Sequence, residues 1–168
     1  MPQRLGKEPQ SDLLCRNQGY ASSMTVEYSD MTEEQINEFL QSLHNGILAT
    51  NRINGPPQIT AVWYLYEDGK IYIAILADSV KYRTIKRDPR VSICVDGGHS
   101  DGRAVTIYGT AELVENESAW PDDIMYRITR RYSESDEEAR ELNDDLSDGA
   151  VDVLIVVTPT KIFARDYN

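Results

Sequence analysis

Two consecutive apolar runs joined by an Asp-Gly turn constrain this chain most. Gln58 to Tyr66 reads QITAVWYLY and Lys70 to Ala77 reads KIYIAILA, with Glu67-Asp68-Gly69-Lys70 at the junction. β-branched and aromatic residues dominate both runs, and Asp-Gly supplies the positive φ angles of a tight hairpin turn. The runs lack the apolar/polar alternation of a sheet with one wet face, so both sides of the hairpin are expected to be covered. A closed or nearly closed barrel, packed on a helix or a second subunit, satisfies that demand.

The flanking segments fit the same plan. Thr32 and Gln35 form a capping-box pattern, and Ile36, Phe39, Leu40 and Leu43 follow at i, i+3, i+4 and i+7, predicting an amphipathic helix that stops near Gly46. Ile47 to Asn51 reads as a strand, and Ile53-Asn54-Gly55-Pro56-Pro57 as a turn. Ser79 caps a short helix to Arg87 that Asp88-Pro89 ends. Strands are expected at Arg90–Val95 and Arg103–Val114, with Gly109 marking a bulge or a close approach. A helix from Asn116 to Tyr132 is interrupted near Pro121, and the acidic stretch to Asp148 continues as helix or solvated loop. Val151–Val157 and Lys161–Ala164 read as two last strands around Thr158-Pro159. Residues 1–30 show no period and read as a flexible arm, leaving 31–168 as one domain. The expected fold is α+β, mainly β with peripheral helices: a six- to seven-stranded antiparallel barrel.

Charge narrows the function classes. The 168 residues carry 17 Lys+Arg against 28 Asp+Glu, a net charge of −11, which disfavours nucleic-acid partners. No apolar run approaches the roughly 20 residues that span a bilayer, and Met1 to Tyr20 lacks the apolar centre of a secretory signal. Cys15 and Cys94 are the only cysteines, too few for a disulfide framework, so a cytoplasmic location is expected. His44 and His99 leave little for a metal site, and none is assigned. The distribution is uneven, however. Lys81 to Arg90 (KYRTIKRDPR) holds five basic residues and one acid, whereas Glu134 to Asp152 holds nine acids and one base. The basic island suits a phosphate; the bland alternative is a solvated helix face.

Familiar catalytic motifs are missing: there is no G-x-G-x-x-G after a strand, no P-loop, no C-x-x-C and no nucleophile-elbow G-x-S-x-G, since Gly98-His99-Ser100-Asp101-Gly102 falls in the loop between two expected strands, where it reads as a solvated turn. The pairs Glu33/Glu34 and Asp122/Asp123 sit where helix starts favour acids, and Cys94 lies in an apolar strand. No catalytic side chain is assigned, so a cofactor would have to carry any redox chemistry.

Five segments in order carry a resemblance: Gly46-Ile47-Leu48-Ala49-Thr50 before a Gly-Pro turn; Thr60-Ala61-Val62-Trp63-Tyr64; Ser79-x-Lys81 through Ile85 and Asp88-Pro89-Arg90-Val91; Val105 with Gly109-Thr110-Ala111-Glu112; and Thr158-Pro159-x-Lys161-Ile162. From about Met31 to Asp166 the chain resembles the pyridoxamine 5′-phosphate oxidase-like superfamily of flavin- and deazaflavin-dependent oxidoreductases. The resemblance implies a split β-barrel and a homodimer with cofactor at the subunit interface. It implies that Ser79 and Lys81 hold the cofactor phosphate, agreeing with a helix N-terminus plus a point charge as an anion site. It further implies that Thr60, Ala61, Val62 and Trp63, after Ile59, run along the flavin ring, with Ala74 to Ala77 as the opposite wall. Lys86 and Arg87 would widen the positive groove; Arg83 and Arg90 are open between that role and a structural one. The closing Arg-bearing segment of true pyridoxamine-phosphate oxidases has no counterpart in Arg165-Asp166-Tyr167-Asn168. The expected activity is therefore hydride transfer to or from another small unsaturated or aromatic molecule. FMN is the expected cofactor and deazaflavin F420 the alternative; a non-catalytic flavin-, haem- or tetrapyrrole-binding protein is the alternative of another class.

Overall fold

Positive φ angles at Asp68 (50°) and Gly69 (71°) close the central hairpin as the Asp-Gly pair requires. A computed structural model of the chain describes residues 29–147, 151 and 153–168. It contains strands β1 (Ser29–Asp30), β2 (Gly46–Thr50), β3 (Gln58–Val62), β4 (Leu65–Glu67), β5 (Lys70–Ile75), β6 (Arg90–Asp96), β7 (Arg103–Val114) and β8 (Val153–Asp166). The helices are α1 (Glu33–Gln41), α2 (Val80–Arg87), α3 (Ile124–Arg131) and α4 (Asp136–Ser147), with a 3₁₀ turn at Glu117–Ala119. Of the stretch read as an arm, residues 1–28 lie outside the described residues, and Ser29–Asp30 pair with the end of β8. Among the described residues no helix is long and apolar enough to cross a membrane.

All pairings are antiparallel, and the main path runs β3-β2-β6-β7-β8-β5-β4. Its two end strands, β3 and β4, are separated in sequence only by Trp63 and Tyr64. A two-residue link can join opposite edges only if the sheet curls until they meet, and this makes the fold a split barrel.

The split corrects the reading of Gln58 to Tyr66 as one strand. Tyr132 supplies the cause: its hydroxyl accepts the Tyr64 N–H (3.1 Å) and donates to the His44 carbonyl (2.8 Å), taking Tyr64 out of the ladder. Expected coverage also holds for only part of the hairpin. Ile71, Tyr72 and Ile73 are buried in succession, but Ile59 is 66% and Trp63 40% exposed.

The final element differs in the opposite sense. Val151–Val157 and Lys161–Ala164 are not two strands; β8 runs unbroken from Val153 to Asp166 and pairs with β7 over almost its whole length. Pairing with β5 ends at Val157 and pairing with β1 begins at Arg165, so Pro159 lies where β8 has one neighbour and its missing N–H costs no ladder bond on the open side. Opposite it, the register shifts between Tyr108 and Gly109, as Gly109 led one to expect. A Cβ on Gly109 would lie 2.7 Å from the Thr158 carbonyl oxygen. The Gly46 stop for α1 is likewise corrected: Ser42 ends the helix, and Gly46 opens β2, where a Cβ would stand 3.2 Å from the Tyr64 ring.

Inside the barrel, Leu48, Ile71, Ile73, Ile93, Val95, Val105, Ile107, Ile155 and Val157 pack with Phe39 and Leu40 of α1. On the outer side of β5 and β8, Tyr72 and Leu154 pack under Ile124 and Ile128 of α3. This second layer covers the alternate residues of β5, which explains its continuous apolar run.

Two substitutions test these joints. Gly109→Ala should cost about 1–3 kcal/mol, since backbone must move to admit the methyl group, read as a lower urea midpoint. Tyr132→Phe should cost a similar ~1–3 kcal/mol by leaving the Tyr64 N–H and His44 carbonyl unpaired. An unchanged midpoint for Tyr132→Phe would show that the bridge does not hold the strand break.

Candidate functional site

Ser79 starts α2 as its N-cap, its hydroxyl accepting the Tyr82 N–H at 3.2 Å. The N–H groups of Val80 and Lys81 have no acceptor within the helix, so the positive end of the helix dipole is open at this point. On the fold, this helix start faces β3 and the end of β5. The three lie around a cleft of about 470 Å³ lined by Ala61, Val62, Trp63, Ala74, Ile75, Leu76, Ser79 and Lys81. The remaining wall comes from Met125 and Ile128 of α3, Leu142 and Leu146 of α4, and Val151.

Most of this lining is apolar, with Ser79 and Lys81 as its hydroxyl and its cation. Trp63 stacks on Tyr132 with ring centroids 4.9 Å apart and planes 6° from parallel, which fixes the indole at the cleft edge. Tyr132 is itself held by its two backbone bonds and by the neighbouring Arg131, whose guanidinium lies 5.7 Å over its ring. The cleft edge is therefore pre-set by α3.

Charge in the basic segment is used unevenly. Lys86 donates to the Tyr82 hydroxyl (2.6 Å) and to Glu115 (3.2 Å), while the Tyr82 hydroxyl donates to Glu115 (2.6 Å). These bonds hold the Glu115 carboxyl below its usual range and raise the Lys86 ammonium. Arg90 grips Asp88 through two nitrogens at 2.9 and 2.8 Å, and that hydrogen bonding holds Asp88 well below the ordinary carboxylate range. Arg83 donates to the Asp78 carbonyl and Arg87 to the Asn51 carbonyl. Of the charged side chains in this segment, the Lys81 ammonium alone has no hydrogen bond or ion pair among the described residues.

The sequence-predicted residues thus divide. Ala61, Val62, Trp63, Ser79 and Lys81 come together in one cleft, although some 20 residues separate the strand from the helix. Thr60 and Ala77 are half-buried beside these positions, and Ala77 packs on the barrel core. Lys86 and Arg87 line no part of the cleft in this chain; they lie on other faces of α2. The α3–α4 wall was missed by the sequence reading. Its signal was the stripe Ala139, Leu142, Leu146 inside a segment read only for its acids.

A sequence profile of the pyridoxamine 5′-phosphate oxidase family matches residues 32–165. Among solved structures, the conserved hypothetical protein Rv2991 from Mycobacterium tuberculosis is 32% identical, with 82% of this chain and 86% of that chain aligned and a TM-score of 0.66. A structure described as an F420 reductase is 25% identical over 75% of this chain and 94% of its own, with a TM-score of 0.57. The haem storage protein HutZ from Vibrio cholerae shares the fold at 20% identity, 81% and 96% coverage and a TM-score of 0.62. With the split barrel, the motif order and a profile match over most of its length, this chain belongs to the pyridoxamine 5′-phosphate oxidase family.

Proposed function

We propose that the protein is an FMN-dependent oxidoreductase acting on a small unsaturated or aromatic molecule other than pyridoxamine phosphate. The observation that carries this reading is the unpaired Lys81 at the open start of α2, at the polar end of an otherwise apolar cleft. That donor set fits a phosphate joined to a planar apolar ring. Lys81 would neutralise the phosphate, with Ser79 and the first-turn N–H groups donating to its oxygens.

When bound, flavin supplies the hydride chemistry, which the lining side chains do not. The chain's residues do the rest. Ala61 to Trp63 present an extended backbone along the ring, and Ala74 to Leu76 form a facing wall. Trp63, clamped on Tyr132, fixes one edge, and the aliphatic groups of α3 and α4 keep water from that side. Among the described residues no titratable side chain other than Lys81 lines the cleft, which leaves solvent to supply a proton that the substrate needs.

The same reading includes a homodimer. The outward face of β3, β2, β6, β7 and β8 aligns Ala61, Ile47, Cys94, Thr106 and Phe163 in one cross-strand row. Ile59, Ala49, Ser92, Tyr108 and Lys161 form the next. Ile47, Ile59, Tyr108 and Phe163 are all exposed in the single chain. A second copy on this face would bury them and extend the cleft edge at Ala61 and Ile59.

A deazaflavin reading has its own support in the likeness to the F420 reductase at 25% identity. The haem-binding alternative finds no histidine among the cleft's described lining residues.

Parallel fluorescence titrations with FMN and F420 test these assignments. FMN should bind the wild-type dimer more tightly than F420, and Lys81→Ala should weaken it about tenfold or more. Equal FMN affinity for wild type and Lys81→Ala would overturn the site. Tighter binding of F420 would transfer the assignment to the deazaflavin, and a Soret band in the protein as purified would favour haem.

A further inference from the structure

Helix α2 has a second charged face. Val80, Arg83, Thr84 and Arg87 stand at i, i+3, i+4 and i+7, on one side of the helix. With Arg52, Ile53 and Asn54 of the β2–β3 turn, they line a separate pocket of about 330 Å³. The Lys81 cleft shares none of these residues.

Three guanidiniums meet at this pocket in a chain of net charge −11. Five other cations find acids: Arg90 with Asp88, Arg103 with Asp101, Arg127 with Glu67, Arg130 with Asp136, and Lys86 with Glu115. Arg52, Arg83 and Arg87 have no carboxylate partner among the described residues. Crowding like charges opposes folding, and one nearby carboxylate would have relieved it.

The hydrogen bonds here point to a built receptor. Arg83 donates one nitrogen to the Asp78 carbonyl, and Arg87 one to the Asn51 carbonyl. Each anchor limits the guanidinium's rotation and leaves further N–H groups for a ligand. The floor is fixed as well, because Thr84 is buried and its hydroxyl donates to the Thr50 hydroxyl at 2.8 Å, tying α2 to β2. Arg52 carries no hydrogen bond or ion pair among the described residues and stands on the turn opposite.

We infer that this pocket is a binding site for a small anion with at least two negative charges, carried on carboxylate or phosphate groups. Guanidinium forks match either oxyanion through paired N–H donors. The site is independent of whatever fills the Lys81 cleft.

Calorimetric titration with citrate and, separately, with diphosphate tests it, at constant ionic strength so that general screening does not change. At least one probe should bind saturably and raise the thermal midpoint of the wild-type protein. Arg52→Ala, which removes no hydrogen bond or ion pair among the described residues, should weaken that binding about tenfold, and Arg52→Ala/Arg83→Ala further. Lys81→Ala should leave it unchanged. Preference for citrate identifies a polycarboxylate ligand, and preference for diphosphate a phosphorylated one. The inference falls if neither probe binds saturably, if Arg52→Ala binds both as wild type does, or if Lys81→Ala abolishes binding.

Discussion

The end of α3 holds this architecture at the place where the sheet must change edges. Arg131 donates to the carbonyls of Leu40 and Gln41, and to that of Ser42, all at the C-terminal end of α1. A cation there meets the negative end of the helix dipole and the carbonyls that α1 cannot satisfy itself. The same guanidinium lies 4.5 Å over the ring of Tyr64. Burial pushes that phenol up to about 12, which keeps it a donor, and it bonds the Leu40 carbonyl at 3.0 Å. Next along the chain, Tyr132 takes the Tyr64 N–H and presents its ring to Trp63. Two neighbouring side chains therefore fix the end of α1, the break between β3 and β4, and one edge of the cleft. Loss of that cluster would free the edges that curling brings together.

What could be read from the sequence was what short-range chemistry decides. The Asp68-Gly69 turn, the Thr32/Gln35 capping box, the Ser79 cap and the Gly109 irregularity each depend on a few adjacent residues or on one missing Cβ. What could not be read depends on partners far along the chain. Gln58 to Tyr66 has strand composition throughout, and only Tyr132, 68 residues beyond Tyr64, interrupts it. Thr158-Pro159 reads as a turn until β5 is seen to end beside it, so that β8 has a single neighbour at the proline.

The candidate site follows the same division. A cap next to a lysine is a local signal, and Ser79 and Lys81 line one cleft with Ala61 to Trp63. The aliphatic wall was obscured because α4 is dominated by its exposed acids, while Ala139, Leu142 and Leu146 turn toward α3 and the cleft. Lys86 and Arg87 were grouped with Lys81 because a charge count ignores direction. Successive helix positions differ by about 100°, so neighbours in sequence become neighbours in space only at the right spacing.

Direction also changes the meaning of the net charge. An excess of acid excludes long polyanions only when the positive charges are dispersed or neutralised, and here five are neutralised by named carboxylates. Four cations without a carboxylate partner cluster around α2, with Lys81 turned to the apolar cleft and Arg52, Arg83 and Arg87 at the pocket by the β2–β3 turn. The buried Thr84–Thr50 bond fixes the rotation of the helix, and so decides which cation faces which side. Rotating α2 by one residue would carry Lys81 out of the cleft without altering the composition at all. In this protein, then, electrostatic selectivity around α2 is a consequence of how one short helix is seated, and the acidic bulk is the background against which those few cations stand.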